Sequence, residues 1–135
     1  MSSTYSHRRG VLKALFGAAG LAMLGTGRAQ GAAGKVSDAC AKLCRECAAV
    51  CKNCVTCCEK DNPKCAKQCE ACSGLCQACA AACELDSPLE HEVCVLCEKM
   101  CLACAEMCEK SDKDCCKECA AMCRKCAEGC KAARS

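Results

Sequence analysis

The sequence predicts an all-α protein: an antiparallel up-down-up-down four-helix bundle with a cysteine-lined core. Three observations predict it. Cysteines recur at alternating steps of four and three residues, which is the period of one helix face. The pattern occurs four times along the chain. Between the copies lie short segments rich in helix-starting residues.

The first 30 residues stand apart from this pattern. Arg8-Arg9 is followed by Gly10, apolar Val11 and Leu12, and Lys13, which resembles a twin-arginine (Tat) export signal. The apolar stretch from Ala14 to Leu24 is short and Gly-rich for a membrane span. Gly27-Arg28-Ala29 and Gly31 to Ala33 offer small residues for a signal peptidase. The predicted organisation is a cleaved Tat-type signal over 1–30 and a cysteine-rich four-helix domain over 31–135. An exported, periplasmic location follows, with no membrane attachment once the signal is removed.

The first 29 residues hold four of the 19 basic residues and none of the 16 acidic ones, leaving 15 against 16. The remainder is close to neutral and carries no basic patch for nucleic acid.

The first stripe runs Cys40, Cys44, Cys47, Cys51, Cys54, Cys58, on a helix predicted near 36–60. In "KDNPK", Asn62 is placed to cap the next helix and Pro63 to occupy its first position. That helix, near 63–85, carries Cys65, Cys69, Cys72, Cys76, Cys79 and Cys83. In "DSPLEHE", Ser87 and Pro88 take the same roles, with Glu90 completing a capping box. The third helix, near 88–110, carries Cys94, Cys97, Cys101, Cys104 and Cys108. Ser111 or Asp112 is the expected cap of the last, near 112–132. Its stripe begins at Cys115 or Cys116, with Cys115 taken as the ligand, and continues through Cys119, Cys123, Cys126 and Cys130. Each helix is about 22 residues, roughly 33 Å. The connections are so short that neighbours must be antiparallel. Cysteine occupies the inward positions where leucine is usual.

The core must therefore be made of something other than hydrocarbon. The chain contains 24 cysteines among 135 residues, and its one Tyr and one Phe lie within the first sixteen. Disulfide-dense domains are loop-rich, and thiols one turn apart on one helix are badly aligned for an S–S bond. Iron–sulfur clusters need wrapping loops, and the run Cys51, Cys54, Cys57 lacks the fourth ligand followed by Pro. Zinc tetrathiolate sites each carry −2, so six would bury about −12 with nothing basic on the stripes to offset it. Cu(I) is soft, accepts two or three thiolates, and replaces one thiol proton with one positive charge. A core with about one Cu(I) per thiol stays near neutral. The Cys-x3-Cys pairs set two sulfurs one turn apart, close enough to bracket a linear Cu(I).

A Tat-type signal followed by four helices studded with Cys-x3-Cys resembles the bacterial copper storage proteins, cysteine-rich four-helix bundles. The resemblance covers residues 36–132. It implies several Cu(I) ions per chain held by thiolates inside the bundle, a homotetramer, and copper kept for or away from enzymes outside the cytoplasm. The copper donor and acceptor are left unnamed. This chain carries more cysteines than expected of the exported branch. The resemblance also suggests a soft-ligand mouth at one end. His91, three residues before Cys94, shares an end with Cys40, Cys83 and Cys130 and is a candidate for it, or else a solvated first-turn histidine. Met100, Met107 and Met122 flank the stripes, as core filler or else as thioether ligands. The doubled pairs Cys57-Cys58 and Cys115-Cys116 meet at the opposite end. One member of each must point off the core, either as a second mouth or as partners in a disulfide.

No Ser/His/Asp set, phosphate loop or paired core carboxylate is present, so an enzyme is not expected. The competing readings are a metallothionein-like binder of Zn or Cd and a disulfide-stapled structural domain.

Overall fold

A computed structural model describes the backbone of residues 24–134 and the side chains of 34–134. The twin-arginine pattern lies outside the described residues. Four helices run in order: α1 (Leu24–Cys58), α2 (Pro63–Leu85), α3 (Glu90–Glu109) and α4 (Asp114–Arg134). The described residues contain no strand. None of the described helices is long and apolar enough to cross a membrane.

Cross-helix contacts fix the topology. Cys40 and Cys47 of α1 face Cys130 and Cys123 of α4, so one residue number rises as the other falls. Arg45–Glu84 and Ser73–Ala48 set the same antiparallel sense between α1 and α2. Cys65–Cys108 and Cys79–Cys94 set it between α2 and α3, and Glu109–Arg124 and Glu98–Arg134 between α3 and α4. This is the up-down-up-down bundle that the short connections require.

The helix ends show which local signals won. Asn62 caps α2 as expected: its side-chain oxygen accepts from the Cys65 amide at 3.3 Å, with Pro63 in the first turn. At the other end of α2, Asp86 adopts a left-handed conformation (φ 54°), and its amide closes the helix onto the Ala82 and Cys83 carbonyls. Such a cap suits Gly or Asn best, and a short polar Asp tolerates it.

Three expectations need correction. Ser87 does not cap α3. Its hydroxyl accepts from the Leu89 amide at 3.1 Å, closing a local turn around Pro88, and the helix starts at Glu90 with Leu89 at the cap position. Glu90 reaches across the bundle instead of back along its own turn, accepting from the Ser37 hydroxyl at 2.8 Å. In the same way Ser111 accepts from the Lys113 amide, and the Lys113 carbonyl receives the first bonds of α4. Both serines prefer a two-residue turn to the longer reach of a cap. Finally, α1 begins at Leu24, twelve residues before its predicted start. The run Gly27 to Lys35 contains no proline to stop a helix, and its alanines favour one although its glycines do not.

Candidate metal centre

Each helix turns its stripe of cysteines inward. Twenty-two of them are buried free thiols, and apart from Ala82 all the buried cysteines and alanines belong to a core with no aromatic and no large aliphatic side chain buried in it. Ala82 aside, Ser73 is the remaining non-cysteine, non-core buried residue, and it is the one buried polar side chain among the described residues. It donates to the Ala48 carbonyl at 3.0 Å and is therefore satisfied. Among the described residues no buried cation or carboxylate accompanies the thiols.

The sulfurs form one continuous column. From the end that holds Cys83 and Cys94, contacts pass through Cys79, Cys130 and Cys44 to Cys126, Cys76 and Cys101. They continue through Cys72, Cys123, Cys51 and Cys119 to Cys69, Cys108 and Cys65. Steps along this path are 3.5–4.0 Å. At the far end Cys58 and Cys116 lie 3.4 Å apart, with Cys54 3.8 Å from Cys116.

These spacings fit metal bridging. A thiolate–metal bond of about 2.3 Å, as for zinc, sets sulfurs about 4.0 Å apart around a trigonal ion and about 4.6 Å across a linear one. Groups such as Cys47, Cys51, Cys72 and Cys123, or Cys47, Cys76, Cys101 and Cys126, have all four sulfurs within 4.8 Å of one another. Cys47 belongs to both groups, so adjacent sites share ligands. A filled column is a chain of ions rather than a set of isolated centres.

Electrostatics selects among ions. Burial pushes the thiols of Cys54, Cys58 and Cys65 above the ordinary cysteine range, so without metal they are neutral. A monovalent ion replacing each proton leaves that neutrality intact. A divalent ion with four thiolates leaves two uncompensated charges per site, and no buried basic group balances them.

The first member of the α4 stripe was misassigned. Cys116, not Cys115, faces the axis and is buried, while Cys115 is bonded to Cys57 in a disulfide. Cys115 therefore has no thiolate to offer a metal in this state. The signal was present in the sequence. Cys119 to Cys123 is a four-residue step, so the alternation requires a three-residue step before Cys119, which lands on Cys116.

His91 is exposed at the second residue of α3, at the end that also holds the buried group Cys40, Cys79, Cys83 and Cys94. Met100, Met107 and Met122 are partly buried against the core, and the Gln68 amide donates to the Met100 sulfur at 3.2 Å.

Alanines run beside the stripes. The register that Ser73 and Ala48 set brings Ala41 opposite Ala80, making a narrow seam between α1 and α2. Ala105 and Ala127 are similarly opposed between α3 and α4. Their recurrence at seven-residue steps was legible, but small residues carry little hydrophobic signal.

A family model described as copper storage protein matches residues 33–135. Comparison with curated proteins gives no match. Among solved structures, the Cu(I)-bound copper storage protein BsCsp3 is similar at 33% identity and a TM-score of 0.71, over 74% of this chain and 99% of that one. The apo form of copper storage protein 3 from Bacillus subtilis is similar at 35% identity and a TM-score of 0.70, over 73% and 99%.

Proposed function

The chain belongs to the copper storage protein family, and we infer from this and from its thiol column that it stores many Cu(I) ions inside a four-helix bundle. The observation that carries the reading is the unbroken run of buried, mutually touching thiols with no charged side chain among them. The role is binding and retention rather than catalysis.

The ligands are the buried stripe cysteines from Cys40 to Cys58, Cys65 to Cys83, Cys94 to Cys108 and Cys116 to Cys130. Each ion displaces one thiol proton and joins sulfurs of two or three helices. Uptake runs through the end that holds His91, an exposed residue one turn before Cys94, from which ions pass to Cys94 and Cys83. The chain assembles as a homotetramer. Leu89 and Leu96, 61% and 55% exposed, align with partly buried Val93 and Met100 in an apolar stripe on the outer face of α3, which supports a subunit contact there. Export through the Tat route delivers the folded store outside the cytoplasm, where it supplies or sequesters copper. The twin-arginine pattern at Arg8-Arg9 supports this.

The test is a competition titration of fully reduced apoprotein, run in parallel with a Cu(I) chelator and a zinc chelator. Uptake of more than ten Cu(I) per chain against the chelator, with only weak zinc retention, is the expected result. Tight zinc binding at one ion per four thiols would favour the metallothionein-like reading instead.

A further inference from the structure

The two ends of the thiol column are closed differently. At the His91 end the ties between helices are non-covalent: Ser37 to Glu90, Arg45 to Glu84, and Arg134 to Glu98. At the other end Cys57 in the last turn of α1 is joined covalently to Cys115 in the first turn of α4, across 58 residues of sequence. Lys113 reinforces the joint by donating to the Cys57 carbonyl at 2.9 Å and pairing with Asp61.

This bridge sits directly over stored thiols. Each of its cysteines is followed in sequence by a buried one, Cys58 and Cys116, whose sulfurs form the closest free-thiol contact described. The bridged pair is half-buried, whereas Cys58 and Cys116 are fully covered. A soluble reductant can therefore reach the bridge before it reaches the column. Helix ends are the parts of a bundle that open most easily, and a covalent tie suppresses that opening.

We propose that the Cys57–Cys115 disulfide is a redox latch on the far end of the column, and that its reduction opens a second route for Cu(I) while adding two ligands to it. The proposal rests on the reading that the column holds Cu(I). The reductant is a dithiol. It passes two electrons and two protons to the S–S bond, which breaks to give the Cys57 and Cys115 thiols, and the dithiol closes to its own disulfide. Copper stays Cu(I) throughout. The freed thiols lie beside Cys58 and Cys116, so an ion leaving the column meets ligands on the way out instead of a sealed end. Reoxidation restores the seal.

The experiment uses the full chain in three anaerobic preparations: oxidised wild type, wild type pre-reduced with a dithiol and then freed of it, and the double variant C57S/C115S. Each is loaded with the same number of Cu(I) equivalents, supplied as an acetonitrile complex, and transfer to a high-affinity Cu(I) chelator is followed by absorbance. Titration of the unfolded protein should find two more thiols in the reduced than in the oxidised wild type. Release from the reduced protein and from the double variant should be faster than from the oxidised protein by about tenfold or more. Equal release from all three preparations overturns the latch while leaving storage intact. Failure of all three to take up Cu(I) overturns the storage reading itself. Should the double variant fold poorly, the oxidised and reduced wild-type proteins still decide the question.

Discussion

The axis of this bundle and its seams are built from the same repeat and do opposite things. Along the axis, cysteine occupies the inward positions and leaves small, soft, neutral groups touching in a column. One position away, Ala41, Ala48, Ala80, Ala105 and Ala127 let paired helices approach closely. Where the seam needs slightly more room, a glycine is used: a Cβ on Gly129 would come within 2.6 Å of a Leu43 methyl. The seams hold the helices together, and the axis is left free to exchange protons for metal. A leucine core would do the first job better and the second not at all.

Filling the axis should have the largest effect. A ligand bound a thousandfold above its Kd stabilises by about 4 kcal/mol, and about 1 kcal/mol moves the melting temperature of a domain this size by several degrees. Cu(I)-loaded protein is therefore expected to melt at least about 20 °C above the apoprotein in paired calorimetric scans. Equal melting points would mean that the axis and the seams contribute alike, and would break the contrast.

Alkaline pH acts chiefly on the axis. Burial raises the Cys54, Cys58 and Cys65 thiols above their unfolded values. A raised folded pKa favours the native state below the unfolded value of about 8.5, and that advantage is lost as pH climbs past it, because only the unfolded chain can then ionise. At pH 9 these three thiols alone cost about 2–3 kcal/mol relative to pH 7. Thermal melts of reduced apoprotein across pH 7–10 should fall steeply above about pH 8.5. The copper-loaded protein, which has already given up those protons, should not follow.

Changes in the seams should be smaller and should leave capacity alone. Ala80→Leu overfills the α1–α2 contact and is expected to lower apoprotein stability by about 1–3 kcal/mol in urea titrations, with unchanged Cu(I) stoichiometry. Ser73→Ala removes one donor to the Ala48 carbonyl, a change worth about 1 kcal/mol. The surface pair Arg124–Glu109, with both side chains nearly half exposed, should matter less still. A seam variant that lost many equivalents of copper would show that the two regions are not separable.

Much of this was legible in the chain. The alternating three- and four-residue steps set the helices and their inward faces, because nothing but a helix returns side chains to one line at that period. Asn62-Pro63 marked a helix start because both residues act within one turn. Signals that compete with a nearby alternative were harder to read. Ser87 and Ser111 could cap a helix or close a turn, and both closed a turn. Cys115 and Cys116 could each begin the last stripe, and only the strict alternation separates them. The seams were faint in the sequence, because alanine recurs at the right steps but announces itself weakly. The doubled pairs Cys57-Cys58 and Cys115-Cys116 could form a second mouth or a disulfide, and the structure joins Cys57 to Cys115.

X-ray absorption at the copper edge of the fully loaded protein tests the metal column most directly. Sulfurs 3.4–4.0 Å apart that belong to more than one group require neighbouring ions to share ligands. The predicted spectrum shows Cu(I) with two or three sulfur neighbours, no nitrogen or oxygen in the main shell, and clear copper–copper scattering. Copper surrounded by nitrogen and oxygen, with no second copper nearby, would place the metal on the outside of the bundle and contradict the account.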